Sequence, residues 1–478
     1  MLLFFACAGD PTDTGADDTG SADSAAGHTT GTVSGEWARV AGGPADGLGN
    51  ALAQAGDPDG DGRADLLAAA YLGNRVCVIG PGLPSGESGL DTVARTCLTG
   101  ETETDYAGYG IASAGDADGD GVDDLLVASI GNREAGANAG KVYFVPGPQS
   151  SGPQELANAP TSWVGEASGD YAGTGLAAVG DVTGDGSADL VIGASGYDDS
   201  GVAGGRTYLV SGPVVPGAMM LSEAYASITG LGAVTPAPPP HGVFGVGDFL
   251  GDAVLGPGDL DGDGIDDLAL GASGDATEGA GTGKVAVFRG PIAGAAYSVA
   301  DADLTITGAA GGSYTGSPIA AAGDVTGDGT ADLWISADGT GPGHVYLFAS
   351  ASQDGTMSLL AAYADFSGAE DGDYFGSAIA SGDADGDGLA DLFVGAPYSE
   401  ASGPLTGSAW LFRGPFVSST FTPDDATAFH GAPNCGTFGS AVAIGPDLDL
   451  DGTADLVVGE YTSGVGGGFS GAFYVFQP

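Results

Sequence analysis

The chain is poor in basic residues: 10 Lys and Arg stand against 63 Asp and Glu, a formal net charge of -53 over 478 residues. Such a surface repels phosphate backbones, which excludes nucleic acid as a partner and makes cations the natural ones. Histidine is scarce too. His28, His241, His344 and His430 lie in unlike contexts, and there is no H-E-x-x-H, no G-x-S-x-G and no Cys/His cluster. The chain is therefore read as a non-enzyme. No sustained helical period occurs, and no apolar run approaches the length of a membrane span. The 92 glycines keep no G-X-Y period, which excludes collagen and leaves many tight turns.

Cysteine is nearly absent, and each of the four has a separate reading. Cys7 follows the apolar residues 2–6 as in the end of a bacterial lipoprotein signal, although no basic segment precedes it. On that reading residues 1–7 are a partial signal segment and Cys7 is the lipidated residue; the plainer alternative is an ordinary cysteine. Residues 8–35 are Asp, Thr, Gly, Ser and Ala with little to bury, a flexible acidic tether with a reach of about 30 Å. Cys77 in NRVCVIG and Cys97 in ARTCLTG lie on neighbouring strand-like segments. A disulfide of an extracytoplasmic protein is expected there, with two buried thiols as the alternative. Cys435 has no evident partner.

What the chain has in abundance is one acidic loop. DPDGDGRADLL (57–67), DADGDGVDDLL (116–126), DVTGDGSADLV (181–191), DLDGDGIDDLA (259–269), DVTGDGTADLW (324–334), DADGDGLADLF (383–393) and DLDLDGTADLV (447–457) start 59, 65, 78, 65, 59 and 64 residues apart. Each sits between short β-branched or aromatic runs, for example GLAAVG before and LVIGAS after the loop at 181, then RTYLVSGP. These are strand signals, and a period near 60 suits one four-stranded propeller blade. The expected fold is all-β: a seven-bladed propeller of four-stranded antiparallel blades over residues 36–478. GEWARVAGG (35–43) is a strand without a blade, and SGAFYVFQP ends a blade short of one. Pairing the two closes the ring and removes the exposed edges.

A hard dication takes six or seven oxygens, which alternate residues on a tight loop can supply. Positions 1, 3, 5 and 9 would give side chains and position 7 its carbonyl, for up to seven calcium sites. The residues are Asp57, Asp59, Asp61, Arg63 and Asp65; Asp116, Asp118, Asp120, Val122 and Asp124; Asp181, Thr183, Asp185, Ser187 and Asp189; Asp259, Asp261, Asp263, Ile265 and Asp267; Asp324, Thr326, Asp328, Thr330 and Asp332; Asp383, Asp385, Asp387, Leu389 and Asp391; and Asp447, Asp449, Asp451, Thr453 and Asp455. The loop is not an EF-hand, because position 12 is apolar in every copy (Ile192, for instance) where that motif needs glutamate. Thr183 and Thr326 replace an aspartate and should weaken their sites. Leu450 stands where the other loops have glycine, so the last loop is the least regular.

The segment YFGSAIASGDADGDGLADLFVGAP (374–397) and, nearly complete, TFGSAVAIGPDLDLDGTADLVVGE (437–460) resemble the FG-GAP repeats of the integrin α-subunit head. That resemblance covers residues 36–478 and implies a propeller whose calcium loops brace one face while ligands are met mainly on the other. The loops 129–140, 195–205 and 396–407 would then meet the ligand, with a proline-rich insert (229–252) projecting from one edge. Tyr106, Tyr109, Tyr171, Tyr197, Tyr374 and Tyr398 are placed either to stack on sugars or to pack between blades. The function expected is a calcium-binding extracytoplasmic module, tethered at the cell surface or secreted, that binds an unknown surface protein or carbohydrate. It would meet a membrane only through an N-terminal lipid anchor. A structural envelope spacer and a polysaccharide-active propeller enzyme are the alternatives.

Overall fold

The computed structural model describes residues 35–198, 203–231, 247–349, 354–403, 406–417, 419–432, 437–464 and 469–478. The expectations for residues 1–7 and 8–34, Cys7, Cys435, His28, His241 and the proline run 236–240 concern residues outside these.

Each acidic loop delivers the chain into a strand rich in Leu, Val and Ala that is buried at every position, as in Asp65–Ala70, Asp124–Ser129, Asp267–Ala272 and Asp391–Ala396. A strand with one wet face would alternate; one apolar throughout is covered on both faces. These are the second strands of seven sheets stacked around a ring. In blade 2 the four antiparallel strands are Ala107–Gly115, Asp124–Ser129, Lys141–Val145 and Thr161–Val164. Blades 1 and 3 to 7 open on Leu48–Gly56, Ala172–Ala178, Val254–Gly258, Ile319–Gly323, Ala378–Gly382 and Ala441–Ile444. The ring closes as expected: Ala38–Ala41 lies antiparallel to Ala472–Phe476, with Val40 opposite Phe473.

The core is divided among the blade interfaces. One apolar cluster fills each gap between neighbours, including the last and first, where Leu66 and Ile79 meet Val40, Val457, Phe473 and Val475. The first strands are small-residue segments because they converge on the axis. A Cβ on Gly110 would stand 2.5 Å from the carbonyl oxygen of Gly173 in the next blade, so only glycine fits there.

The architecture departs from four strands per blade in two respects, of which the lesser is that Gly247–Leu250 pairs in parallel with Ala203–Val210 of blade 3. In six sheets the fourth strand also pairs, in parallel, with a short strap strand from the next blade: Gly86–Gly89, Gly152–Glu155, Gly217–Met220, Ala296–Ser298, Gly355–Ser358 and Thr420–Phe421. Segments such as GESG and GPQE are brief, largely exposed and without apolar period, which left them unreadable as strands.

Candidate metal centres

In all seven loops the sixth residue is a glycine with φ between 85 and 97°, the sharp turn the sequence demands. The turn is stitched by its own carboxylates. Asp57 accepts from the N–H groups of Asp61 (2.9 Å) and Gly62 (2.8 Å), and Asp181, Asp324 and Asp447 repeat this. The position-5 aspartate accepts from the position-7 N–H in every copy, at 2.8–3.0 Å, which turns Arg63, Val122, Ser187, Ile265, Thr330, Leu389 and Thr453 into the loop. Position 12 falls inside a strand, as Ile192 does in Leu190–Ala194.

Five loops gather three carboxylates whose oxygens all lie within 4.8 Å of one another: Asp57, Asp59 and Asp61; Asp116, Asp118 and Asp124; Asp259, Asp261 and Asp263; Asp383, Asp385 and Asp391; Asp447, Asp449 and Asp455. The loops at 181 and 324, with Thr183 and Thr326, form no such trio among the described residues. The fourth carboxylate of each full set stands a little apart, at position 9 in the loops at 57 and 259 and at position 5 in the others.

Position 9 has a second task that the sequence reading missed. Asp124 accepts from Ala117 (2.9 Å) with one oxygen and from Gly147 (2.9 Å) with the other. Asp189, Asp267 and Asp391 likewise bond Gly212, Gly290 and Gly414. The carboxylate thus ties the loop to the turn after the third strand, and the shared Gly-Pro at 147, 212, 290 and 414 was its signal in the sequence. Asp65 departs from this. It is fully buried and neither oxygen has a hydrogen-bond partner. Burial, with Asp59 nearby, pushes its pKa up to about 7 despite Arg95. Burial likewise raises Asp455 to about 7 and Asp124 and Asp267 to about 6. Desolvated carboxyls crowded by like charges are the donor set that a bound dication would satisfy.

Side chains from the end of the third strand or the outer strand reach some loops. Arg95 bonds Asp59 and, at 2.7 Å, Asp61; Arg289 and Arg413 approach Asp261 (3.4 Å) and Asp385 (3.3 Å). Gln477 donates to Asp449 at 2.7 Å and Ser211 to Asp185 at 3.0 Å.

The opposite ends of the first strands carry different chemistry. The third strand carries a basic residue at or near its start in five blades, and it is paired: Arg75 with Asp46 (2.5 Å), Lys141 with Glu101 (2.8 Å), Arg206 with Glu166 (3.2 Å), Lys284 with Asp275 (2.7 Å) and His344 with Asp365 (2.8 Å). Glu101 and Glu166 follow the fourth strand of the preceding blade, so those two pairs cross from one blade to the next. Just before the first strands, Tyr106, Tyr171, Phe249, Tyr314 and Tyr374 all hold φ between 49 and 55°, a conformation aromatic residues rarely adopt. Tyr71 packs on Tyr106 and Tyr109, and Tyr374 on Tyr398. Tyr106 and Tyr398 remain 40% and 42% exposed, whereas Tyr197 is buried under Arg206. In blade 1, Cys77 and Cys97 face one another across the third and fourth strands and are joined by a disulfide.

The FG-GAP repeat model matches residues 253–288, 375–412 and 438–476. Integrin alpha-3 of Cricetulus griseus is 37% identical over 100 residues, 21% of this chain and 9% of that protein. Integrin alpha-PS2 of Drosophila melanogaster is 31% identical over 230 residues (45% of this chain, 15% of that protein), and integrin alpha-E of Homo sapiens 32% over 164 residues (31% and 13%). The matched parts thus span less than a sixth of these relatives. The two segments with the fullest Phe-Gly…Gly-Ala-Pro pattern in the sequence are among the three that the repeat model matches, and with seven blades around a closed ring the chain is an integrin-α-like FG-GAP β-propeller.

Proposed function

We propose that the protein is an extracytoplasmic binding or adhesion module in which calcium bound by the acidic loops holds one face of the propeller rigid and the opposite face meets a protein or glycan ligand. The observation that carries this reading is the gathering of three carboxylates within 4.8 Å at equivalent places in five blades. Positions 1, 3, 5 and 9 would hold the ion with the position-7 carbonyl, and the ion would supply the charge that crowded carboxylates lack. The Cys77–Cys97 disulfide supports an oxidising compartment. The ligand face is assigned to the end where the blades differ and where left-handed aromatic residues and exposed Tyr106 and Tyr398 cluster. Strained residues of this kind collect at binding sites.

The test is a glycan array and a surface-protein pull-down, each run in millimolar calcium and again with chelator. Calcium-dependent capture that Tyr106→Ala and Tyr398→Ala weaken supports the reading. Capture that survives both variants but fails on loop-face substitutions would move the ligand to the other face.

A further inference from the structure

Position 8 of the acidic loop is alanine in five blades, Ala64, Ala188, Ala331, Ala390 and Ala454, but aspartate in the loops at 116 and 259. Those two carboxylates reach the loop of the preceding blade. Asp57 donates its N–H to Asp123 at 2.7 Å, and Asp181 donates to Asp266 at 2.9 Å. A Cβ on Gly56 or Gly180 would collide with the incoming carboxylate, so glycine is what admits it. The main-chain tethers in this region are more widely shared. The position-2 carbonyls of Pro58, Ala117 and Val182 accept from Gln149, Val214 and Ile292, each in the turn after the third strand of the next blade. The carboxylate clasp is an addition in two places, and it sets a further negative charge beside loops already crowded with them.

Both loops held this way are handicapped. In the loop at 57, Arg95 bonds Asp59 and Asp61, two members of its trio; in the loop at 181, Thr183 replaces an aspartate. We propose that Asp123 and Asp266 are positioning residues for calcium in the preceding blade. Each fixes the backbone of the first ligand there, Asp57 or Asp181, and restores negative charge where Arg95 or Thr183 has removed it. This rests on the calcium reading and names residues that grade its sites. A ligand held in place before the ion arrives loses less freedom on binding. The chain contains its own control. DVTGDGSADL at 181 and DVTGDGTADL at 324 differ at one residue, yet the blade after the first carries Asp266 at position 8 and the blade after the second carries Ala390. Gly323 holds φ of 66°, against 69° at Gly56 and Gly180, and nothing lies within 4 Å of where its Cβ would stand. The loop at 324 thus has room for a clasp that its neighbour does not supply.

Amide exchange on the full chain at graded free calcium tests this. The Gly186 and Gly329 N–H groups each bond the first carboxylate of their loop, Asp181 (2.8 Å) and Asp324 (2.9 Å). The expected result is that Gly186 becomes protected at lower calcium than Gly329. Asp266→Ala, which gives position 8 the residue five loops already carry, should raise the Gly186 midpoint by at least about tenfold through loss of a hydrogen bond to a charged group. The midpoints of Gly329 and Gly121 should stay where they are. Asp266→Asn keeps the acceptor and should move Gly186 less, and Ala390→Asp should lower the Gly329 midpoint. With chelator present, Asp266→Ala but not Asp266→Asn should speed exchange of the Asp181 N–H. An unmoved Gly186 midpoint in Asp266→Ala overturns the proposal while leaving the calcium reading intact. So does a shift shared by all three loops, the mark of a general loss of stability. If no loop responds to calcium, Gly121 included, the calcium reading falls and this proposal falls with it.

Discussion

The two faces of the ring solve the same problem of charge in opposite ways. On the loop face one nine-residue solution is copied seven times, with carboxylates left facing one another and, in four of the five gathered trios, no arginine in hydrogen-bonding contact closer than 3.3 Å. On the other face every blade differs. Arg75, Lys141, Arg206, Lys284 and His344 are each matched by an acid, and in Lys284–Asp275 both side chains are more than nine-tenths buried. Identical loops point to an identical need, a cation from outside. Varied pairs point to charge balanced within the chain, around surfaces free to differ. The faces should therefore respond to different perturbations.

Removing calcium is the harshest way to break that contrast. Each occupied loop contributes about 2.7 kcal/mol at free calcium 100 times its Kd. Chelation should thus lower the Tm steeply and speed amide exchange around Gly121, Gly264 and Gly388 while Lys141 and Lys284 stay protected. An unchanged Tm by calorimetry would refute the calcium reading. Asp275→Asn makes the reverse experiment. It strands the Lys284 ammonium in a buried site, at a cost of about 3–5 kcal/mol, and that loss should be the same with and without calcium in urea titrations.

The contrast also explains what could be read in advance. The loop face was legible because its chemistry is local: Asp181, Thr183, Asp185 and Gly186 lie within six residues, and repetition removed coincidence. The ring followed from ARVA at one end and AFYVF at the other. Local reading failed wherever partners are distant. Asp124 is tied to Gly147 and Glu101 to Lys141 across turns of unequal length, and nothing in GPQE or GESG distinguishes a strap from a loop. The orphaned Asp65 looked like every other position 9, although the Gly80-Pro81 after its third strand comes one residue early and puts Pro81, which has no N–H, where Gly147 bonds Asp124.

A smaller effect sharpens the comparison within the ring's seam. Glu460 is buried beside Tyr474, which donates to it at 2.5 Å, and burial raises its pKa from 4.5 to about 7. The folded state therefore holds this proton up to about pH 7 while the unfolded chain releases it near 4.5. Its stabilisation is full below pH 4.5, shrinks as pH rises through that window and is gone above 7, a span of about 3 kcal/mol. Glu460→Gln keeps an acceptor for Tyr474 and should flatten this part of the Tm-against-pH profile. If wild type and variant run parallel between pH 5 and 8, Glu460 is not the group that titrates.

The smallest expected change tests whether the seven loops are one structure. Leu450 holds φ of 67°, in line with Gly60, Gly119, Gly184, Gly262, Gly327 and Gly386 at 72–83°, and its side chain is half exposed. A leucine with a left-handed backbone is strained by about 1 kcal/mol, and little packing offsets it at an exposed site. Leu450→Gly removes that strain but frees the unfolded chain, so the two effects partly cancel. A gain of about 0.5 kcal/mol in stability is expected, together with tighter calcium binding by this loop, since glycine lets Asp449 and Asp451 close without cost. A loss of stability would show that Leu450 makes contacts its exposure conceals, and that the last loop reaches the shared shape by a different route.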